Sequence, residues 1–208
     1  MDSTKLIKHL QRNLTLSSND AIGFDVDDTI LFSAPGFWVG YKKYNTNNGI
    51  NFTKAPGFWT EMNNEYDKFS MIKSEVANIL YEHLSAQHKV YFITRRAKTK
   101  SEKLSQHLKT SLKNYFHYMK RGHITPLIDK LPDVLFSNEK SKSPLLKSLG
   151  IKVYYGDSDS DKKDAQLSKE TIFVRVLRAP SFMALYDPKQ NITEDEIVLE
   201  NSNRIFGT

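Results

Sequence analysis

Three short apolar runs in this chain each stop abruptly at a cluster of polar, chemistry-bearing residues. Ala21-Ile22-Gly23-Phe24 leads into Asp25-Val26-Asp27-Asp28-Thr29, and Val90-Tyr91-Phe92-Ile93 leads into Thr94-Arg95-Arg96. Val153-Tyr154-Tyr155 leads into Gly156-Asp157-Ser158-Asp159-Ser160-Asp161. Apolar runs this short and without polar alternation read as strands covered on both faces. Val134-Leu135-Phe136 and residues 171–176 add two more. Helical spacing separates them. Ile72, Val76, Ile79, Leu80 and Leu84 mark one helix face, Leu104, Leu108 and Leu112 mark another, and Pro144 opens a helix that Gly150 ends. This alternation predicts an α/β fold, a mostly parallel Rossmann-like sheet with helices on both faces. Ligands of such sheets bind at the carboxyl ends of the strands. The three polar clusters therefore meet at one edge.

A chain of 208 residues fits one domain, residues 1–208. Leu6, Ile7, Leu10 and Leu14 give it an amphipathic helical segment over residues 1–18. Residues 33–70 break the strand–helix rhythm with Phe37, Trp38, Tyr41, Tyr44, Phe52, Phe58, Trp59 and Tyr66 set among Gly, Asn and Pro. They read as a small, turn-rich cap inserted after the first strand. The composition, 39% hydrophobic and 26% charged, is that of a globular protein, and no apolar run reaches membrane-spanning length. Without cysteine there is no disulfide and no thiolate metal site. No signal peptide is expected, because Met1-Asp2-Ser3-Thr4-Lys5 lacks a basic segment followed by an apolar one. The net charge of +6 suits anionic substrates, although its Lys and Arg residues are scattered as on a solvated surface.

Asp25 and Asp27 flank one residue, so in extended chain they share a direction. Two carboxylates in one place, with Asp157 and Asp161 from another strand end, call for a hard divalent cation with oxygen ligands, and Mg²⁺ fits best. Asp28 reads as a turn or capping residue. Phosphoryl transfer needs a nucleophile, which a carboxylate can be, and a second carboxylate to move protons. Thr94 and a lysine ahead of the last acidic cluster would hold the phosphoryl oxygens. Lys140 and Lys142 both qualify, and counting back from Gly156-Asp157 favours Lys142.

Phe24 to Thr29, Lys142 and Gly156 to Asp161 together resemble the haloacid dehalogenase-like phosphatases. Ile30-Leu31-Phe32-Ser33-Ala34-Pro35-Gly36-Phe37-Trp38 and Phe58-Trp59-Thr60-Glu61-Met62-Asn63-Asn64 narrow the resemblance to the bacterial class B acid phosphatases. The resemblance implies a Mg²⁺-dependent acid phosphatase that hydrolyses small phosphomonoesters through an aspartyl-phosphate. Asp25 would be nucleophile and metal ligand. Asp27 would be the acid/base and a ligand through its backbone carbonyl. Asp157 would be a further ligand, with Asp161 in support. Thr94 would hold the phosphate, and Lys142 would neutralise it and orient Asp25, with Arg96 matching an arginine of the second motif. Phe37, Trp59 and Tyr186 match positions that stack on nucleoside or aryl leaving groups. The family is periplasmic, homotetrameric and broad in substrate, with phosphotransfer to alcohols as a side activity. In one departure, Arg95 stands where the second motif usually has glycine, adding a side chain to the substrate pocket.

Two other readings compete. A nucleic-acid-binding module would use the positive charge and the aromatic residues, but leaves the acidic clusters unexplained. A metal-dependent glycosyltransferase would use Asp25 and Asp27 as its metal motif, but needs no lysine before the last cluster. On the phosphatase reading, neither a nucleic-acid polymer nor a membrane is a partner. His83, His88 and His107 show no metal spacing and are expected on helix surfaces, and the basic stretch Lys98 to Lys113 reads as a solvated helix face.

Overall fold

A computed structural model of the chain describes residues 1–14, 16–45, 51–180 and 190–207. Its strands are β1 (Ala21–Phe24), β2 (Leu31–Phe32), β3 (Met71–Ile72), β4 (Lys89–Thr94), β5 (Leu135–Phe136), β6 (Ile151–Gly156), β7 (Ile172–Val176) and β8 (Ile197–Leu199). The α-helices are α1 (Ser3–Leu14), α2 (Ala34–Tyr44), α3 (Phe58–Asn64), α4 (Ser74–Ser85), α5 (Leu104–Tyr118), α6 (Thr125–Asp129), α7 (Ser143–Ser148) and α8 (Asp159–Ser168). Six strands form one sheet in the order β5-β4-β1-β6-β7-β8, every neighbouring pair parallel. No helix among the described residues is long and apolar enough to cross a membrane.

Alternation along the strands, broken once by a bulge in β6 between Ile151 and Val153, explains the two layers. Ile22, Phe24, Val90, Phe92, Val153 and Tyr155 point into the larger core, which α1, α4 and α5 cover. Ala21, Ile93, Ile151 and Tyr154 point the other way, onto Leu146 of α7 and Ala165 of α8. β1 lies at the middle of the sheet, where the chain runs first to β4 on one side and later to β6 on the other. That reversal opens the crevice for a ligand at the carboxyl end of β1.

The segment after β2 is helical rather than turn-rich. α2, α3 and two single 3₁₀ turns (Phe52–Lys54 and Tyr66–Phe69) carry the aromatic residues, which pack on one another around Phe37, Phe52 and Phe58. Gly40 lets α2 touch Phe58 directly, since a Cβ there would lie 2.4 Å from that ring. The segment returns through β3, which pairs antiparallel with β2, so Ile72 belongs to a strand and α4 begins at Ser74.

His83 and His88 are not on the surface. His83 continues the buried stripe of α4 formed by Val76, Ile79 and Leu80, and its two ring nitrogens lie 2.9 Å from His88 Nδ1 and 2.7 Å from the Tyr155 hydroxyl. Burial, with the neighbouring His88 adding to it, holds His83 down to about 3, and burial lowers His88 as well. An unfolded histidine takes up its proton near pH 6.5. His83 therefore stabilises the fold fully above that pH, and this stabilisation falls away as pH drops from 6.5 towards 3, by up to about 1.4 kcal/mol per unit. The stability difference between wild type and His83→Gln, from urea denaturation, is expected to shrink between pH 7 and pH 5. A difference that stays constant over that range would contradict it.

Candidate active site

β1 delivers Asp25 to the sheet edge, where its backbone N–H still donates to Tyr155 O at 2.8 Å. The chain then turns, with Asp28 at φ 53°, and Leu31 N donates to Val26 O at 3.0 Å. β6 delivers Asp157, and α8 starts at once behind it. Ser158 caps α8 by accepting from Asp161 N at 3.2 Å, while Asp161 Oδ2 accepts from Ser158 N at 3.2 Å. Gly156 permits this close join, because a Cβ there would come within 2.6 Å of Asp161 Cβ. The cap fixes one oxygen of Asp161 and turns the other inward, where Lys142 Nζ donates to it at 2.8 Å.

One carboxylate oxygen from each of Asp25, Asp157 and Asp161 lies within 4.8 Å of the others, all three side chains being buried. Lys142 donates to Asp25, to Asp161 and, at 2.9 Å, to the Tyr154 hydroxyl, which uses all three of its N–H groups. Lys140 is exposed. Thr29 Oγ1 lies 3.3 Å from Asp25 and 3.2 Å from Asp157. Burial pushes the Asp25 carboxyl well above its ordinary range; Lys142 opposes that, while Asp161, Asp157 and Asp27 reinforce it. Asp157 also rises through burial, against the pull of Arg178. Asp161 is lowered, because Lys142 and the Ser158 hydrogen bonds outweigh its burial. Three converging carboxylates with all-oxygen donors and two cations to offset them fit a hard divalent ion.

Asp27 sits apart from that trio. Its carboxylate is gripped by Arg96, whose Nε and Nη2 donate at 2.9 and 2.6 Å, and Thr94 Oγ1 lies 3.4 Å away. Burial alone would raise Asp27, but the Arg96 charge and hydrogen bonds hold it below the usual range. Arg96 is 1% exposed. Its other N–H groups go to Asp67 and Asn63 at 2.6 to 3.1 Å, so all five are used within the protein. This corrects the expectation that Arg96 binds substrate, because no donor is left for a phosphate. It positions Asp27 instead.

The cavity above these residues measures about 220 Å³, with Thr94, Arg95 and Lys142 among its lining and Lys54 and Trp59 brought in from the cap. Trp59 Nε1 donates to Glu139 Oε1 at 3.1 Å, and Lys54 pairs with the same carboxylate, which ties the cap to the loop after β5. Phe37 is a second correction. It is 0% exposed, packed on Phe58 and Trp59 with the Arg96 guanidinium 5.8 Å from its ring, so it fills the cap core rather than offering a stacking face. Tyr186 lies outside the described residues.

Several residues of the site went unnoticed in the sequence. Arg178 Nε donates to Asp157 Oδ2 at 2.6 Å. It follows β7, a fourth strand end, and the rule that picked out the other three ends reaches it as well. Buried Lys73 donates to the backbone carbonyls of Asp28 at 2.5 Å and Leu177 at 2.6 Å, which joins the return from the cap to the catalytic turn. A lone lysine after the cap carries no pattern to mark it. Asp28 is buried, and burial with the nearby Asp157 raises its carboxyl to about 7.

Comparison with known proteins identifies the family of the chain. The family model of the HAD superfamily, subfamily IIIB (acid phosphatase), matches residues 2–185. The chain is 35% identical over 199 residues to the class B acid phosphatase of Xenorhabdus bovienii, covering 94% of this chain and 78% of that protein. It is 36% identical over 185 residues to that of Morganella morganii, covering 87% and 72%. Among solved structures, a haloacid dehalogenase-like hydrolase from Streptococcus pneumoniae aligns with a TM-score of 0.48 at 14% identity, over 88% of this chain and 95% of that one. With its parallel sheet, its strand-end acids and this match along most of its length, the chain belongs to the class B acid phosphatases, subfamily IIIB of the haloacid dehalogenase superfamily.

Proposed function

We propose that this phosphatase cleaves phosphomonoesters through a covalent intermediate on Asp25. The observation that carries the proposal is the position of the Asp25 carboxylate, held by Lys142 beside Asp157 and Asp161 at the floor of the cavity. An oxygen of Asp25 bonds to phosphorus as the ester P–O bond breaks; Asp27, which Arg96 keeps ionised, takes the proton of a monoanionic phosphate ester and passes it to the leaving oxygen. Water then gives its proton to Asp27 and bonds to phosphorus, the Asp25–phosphorus bond breaks, and inorganic phosphate leaves. Thr94 holds a phosphoryl oxygen, and Lys142, whose N–H groups go to Asp25, Asp161 and Tyr154, offsets the phosphoryl charge and orients Asp25. Arg96 keeps Asp27 aimed at the reacting oxygens.

Asp25, Asp157 and Asp161 would hold the divalent ion, with the backbone carbonyl of Asp27 as a further ligand, and Mg²⁺ suits that all-oxygen set. When bound, the ion would offset the charge of the phosphoryl group and of the acids around it. Trp59 on the cavity wall supports nucleoside monophosphates and aryl phosphates as preferred substrates, since a π face stacks on either. A periplasmic homotetramer with some phosphotransfer to alcohols is the further expectation from the family.

Release of phosphate from p-nitrophenyl phosphate tests the reading. Activity is expected to vanish on dialysis against EDTA and to return with Mg²⁺. No hydrolysis under any of these conditions, or full hydrolysis in EDTA, would overturn it.

A further inference from the structure

We infer that Arg95 selects phosphomonoesters that carry a second anionic group. This rests on the phosphatase reading and concerns the same cavity. Arg95 follows Thr94 at the end of β4 and lines the cavity. One nitrogen of its guanidinium is committed. Nη2 donates to Asp164 Oδ2 at 2.5 Å and to Ser160 O at 3.3 Å. Asp164 is itself fixed, since it is 2% exposed and accepts from Ser141 Oγ at 2.6 Å and from the backbone of Lys142 at 3.0 Å. The plane of the guanidinium is therefore set by buried groups, not by solvent.

The other two nitrogens, Nε beside Nη2 on the same edge and Nη1 at the far end, donate to nothing among the described residues. Nε of Arg95 is shielded from solvent and has no hydrogen-bond partner among the described residues. A buried donor without a partner costs free energy that an incoming acceptor recovers. A guanidinium N–H carries positive charge and so favours a carboxylate or phosphate over a neutral hydroxyl. Like Arg95, which pairs with Asp164, the other cations around the cavity are ion-paired, and Arg96 and Lys142 have every N–H committed. Lys54 pairs with Glu139, Arg96 with Asp27 and Asp67, and Lys142 with Asp25 and Asp161. Asp25, Asp27 and Lys142 engage the phosphoryl group being transferred. That leaves Arg95 to meet a second anion elsewhere on the same substrate. The usual glycine at this position has no side chain to do so.

Two matched pairs of esters test this, each differing by one anion. Glycerol 3-phosphate and 3-phosphoglycerate differ in a carboxylate, and 5′-AMP and adenosine 3′,5′-bisphosphate differ in a phosphate. In wild type, kcat/KM is expected to favour the ester with the extra anion in at least one pair, and the pair that responds names the group. Arg95→Gly is expected to lower that ratio about tenfold, the scale of one charge-assisted hydrogen bond. Arg95→Gln keeps an N–H for Asp164 but no charge, and should lower the ratio similarly. If both esters of each pair lose rate equally in both variants, Arg95 only braces Asp164 and Lys142, and the inference fails. It also fails if wild type hydrolyses p-nitrophenyl phosphate yet shows no preference in either pair. Failure to hydrolyse any ester removes the phosphatase reading itself, and this inference with it.

Discussion

Asp25→Asn is expected to abolish turnover, lowering kcat by about 10⁴-fold or more, while the protein stays folded. An amide does not attack phosphorus, and no other carboxylate takes the place of Asp25 between Lys142 and Thr29. The fold should survive because the amide oxygen still accepts from Lys142. One of three crowded buried carboxylates also disappears, and burial already works against the charge at this position. In EDTA, the melting temperature of the variant should equal or exceed that of wild type. Loss of the stabilisation that Mg²⁺ gives wild type would accompany it. Appreciable phosphate release by purified Asp25→Asn would exclude the covalent route.

The second large effect is on stability. Arg96→Met removes all five hydrogen bonds of a buried guanidinium and leaves Asp27 and Asp67 without their cation. Breaking a buried ion pair from one side costs about 3–5 kcal/mol, which for a chain of this size is a drop of about 10 °C in Tm. Asp67→Asn in the same chain should restore part of the loss, since one stranded charge is then neutral. Thermal denaturation of the three proteins checks this. A single variant melting within a degree or two of wild type would show that Arg96 is not the clamp described above.

How much of this was legible in the sequence follows from what each residue does. The central strands were clear because β1, β4 and β6 are covered on both faces and so read as unbroken apolar runs, and their acids stood out by contrast. Asp25, Asp157 and Asp161 converge at the ends of those runs, and Lys142 reaches them from the start of α7. The helical form of the cap was hidden. α2 contains Pro35, Gly36 and Gly40, poor helix formers that become favourable only when Tyr66 and Phe58 press against the bare backbone. Phe37 and Trp59 look equivalent in sequence, and tertiary packing alone turns one into the cap core and leaves the other on the cavity wall. Arg96 could not be told from a phosphate-binding arginine, because what decides its role is the number of donors already used by Asp27, Asp67 and Asn63. His83 was legible and misread. It falls three residues after Leu80 on the apolar stripe of α4, where a helix surface position is not to be expected.

The order of strands in the sheet has a consequence for how the chain folds. β1 forms early in the sequence, yet both its neighbours come later, β4 beginning at Lys89 and β6 at Ile151. The contacts that complete the active site close loops of 117 residues between Lys142 and Asp25 and 128 residues between Thr29 and Asp157. Such long-range closures slow folding and belong to its last steps. On the ribosome, the acidic turn after β1 waits without Lys142 or Arg178 until most of the chain has emerged. Catalytic competence is therefore acquired late and all at once, and recovery of activity on refolding should follow the slowest spectroscopic phase rather than the formation of helix.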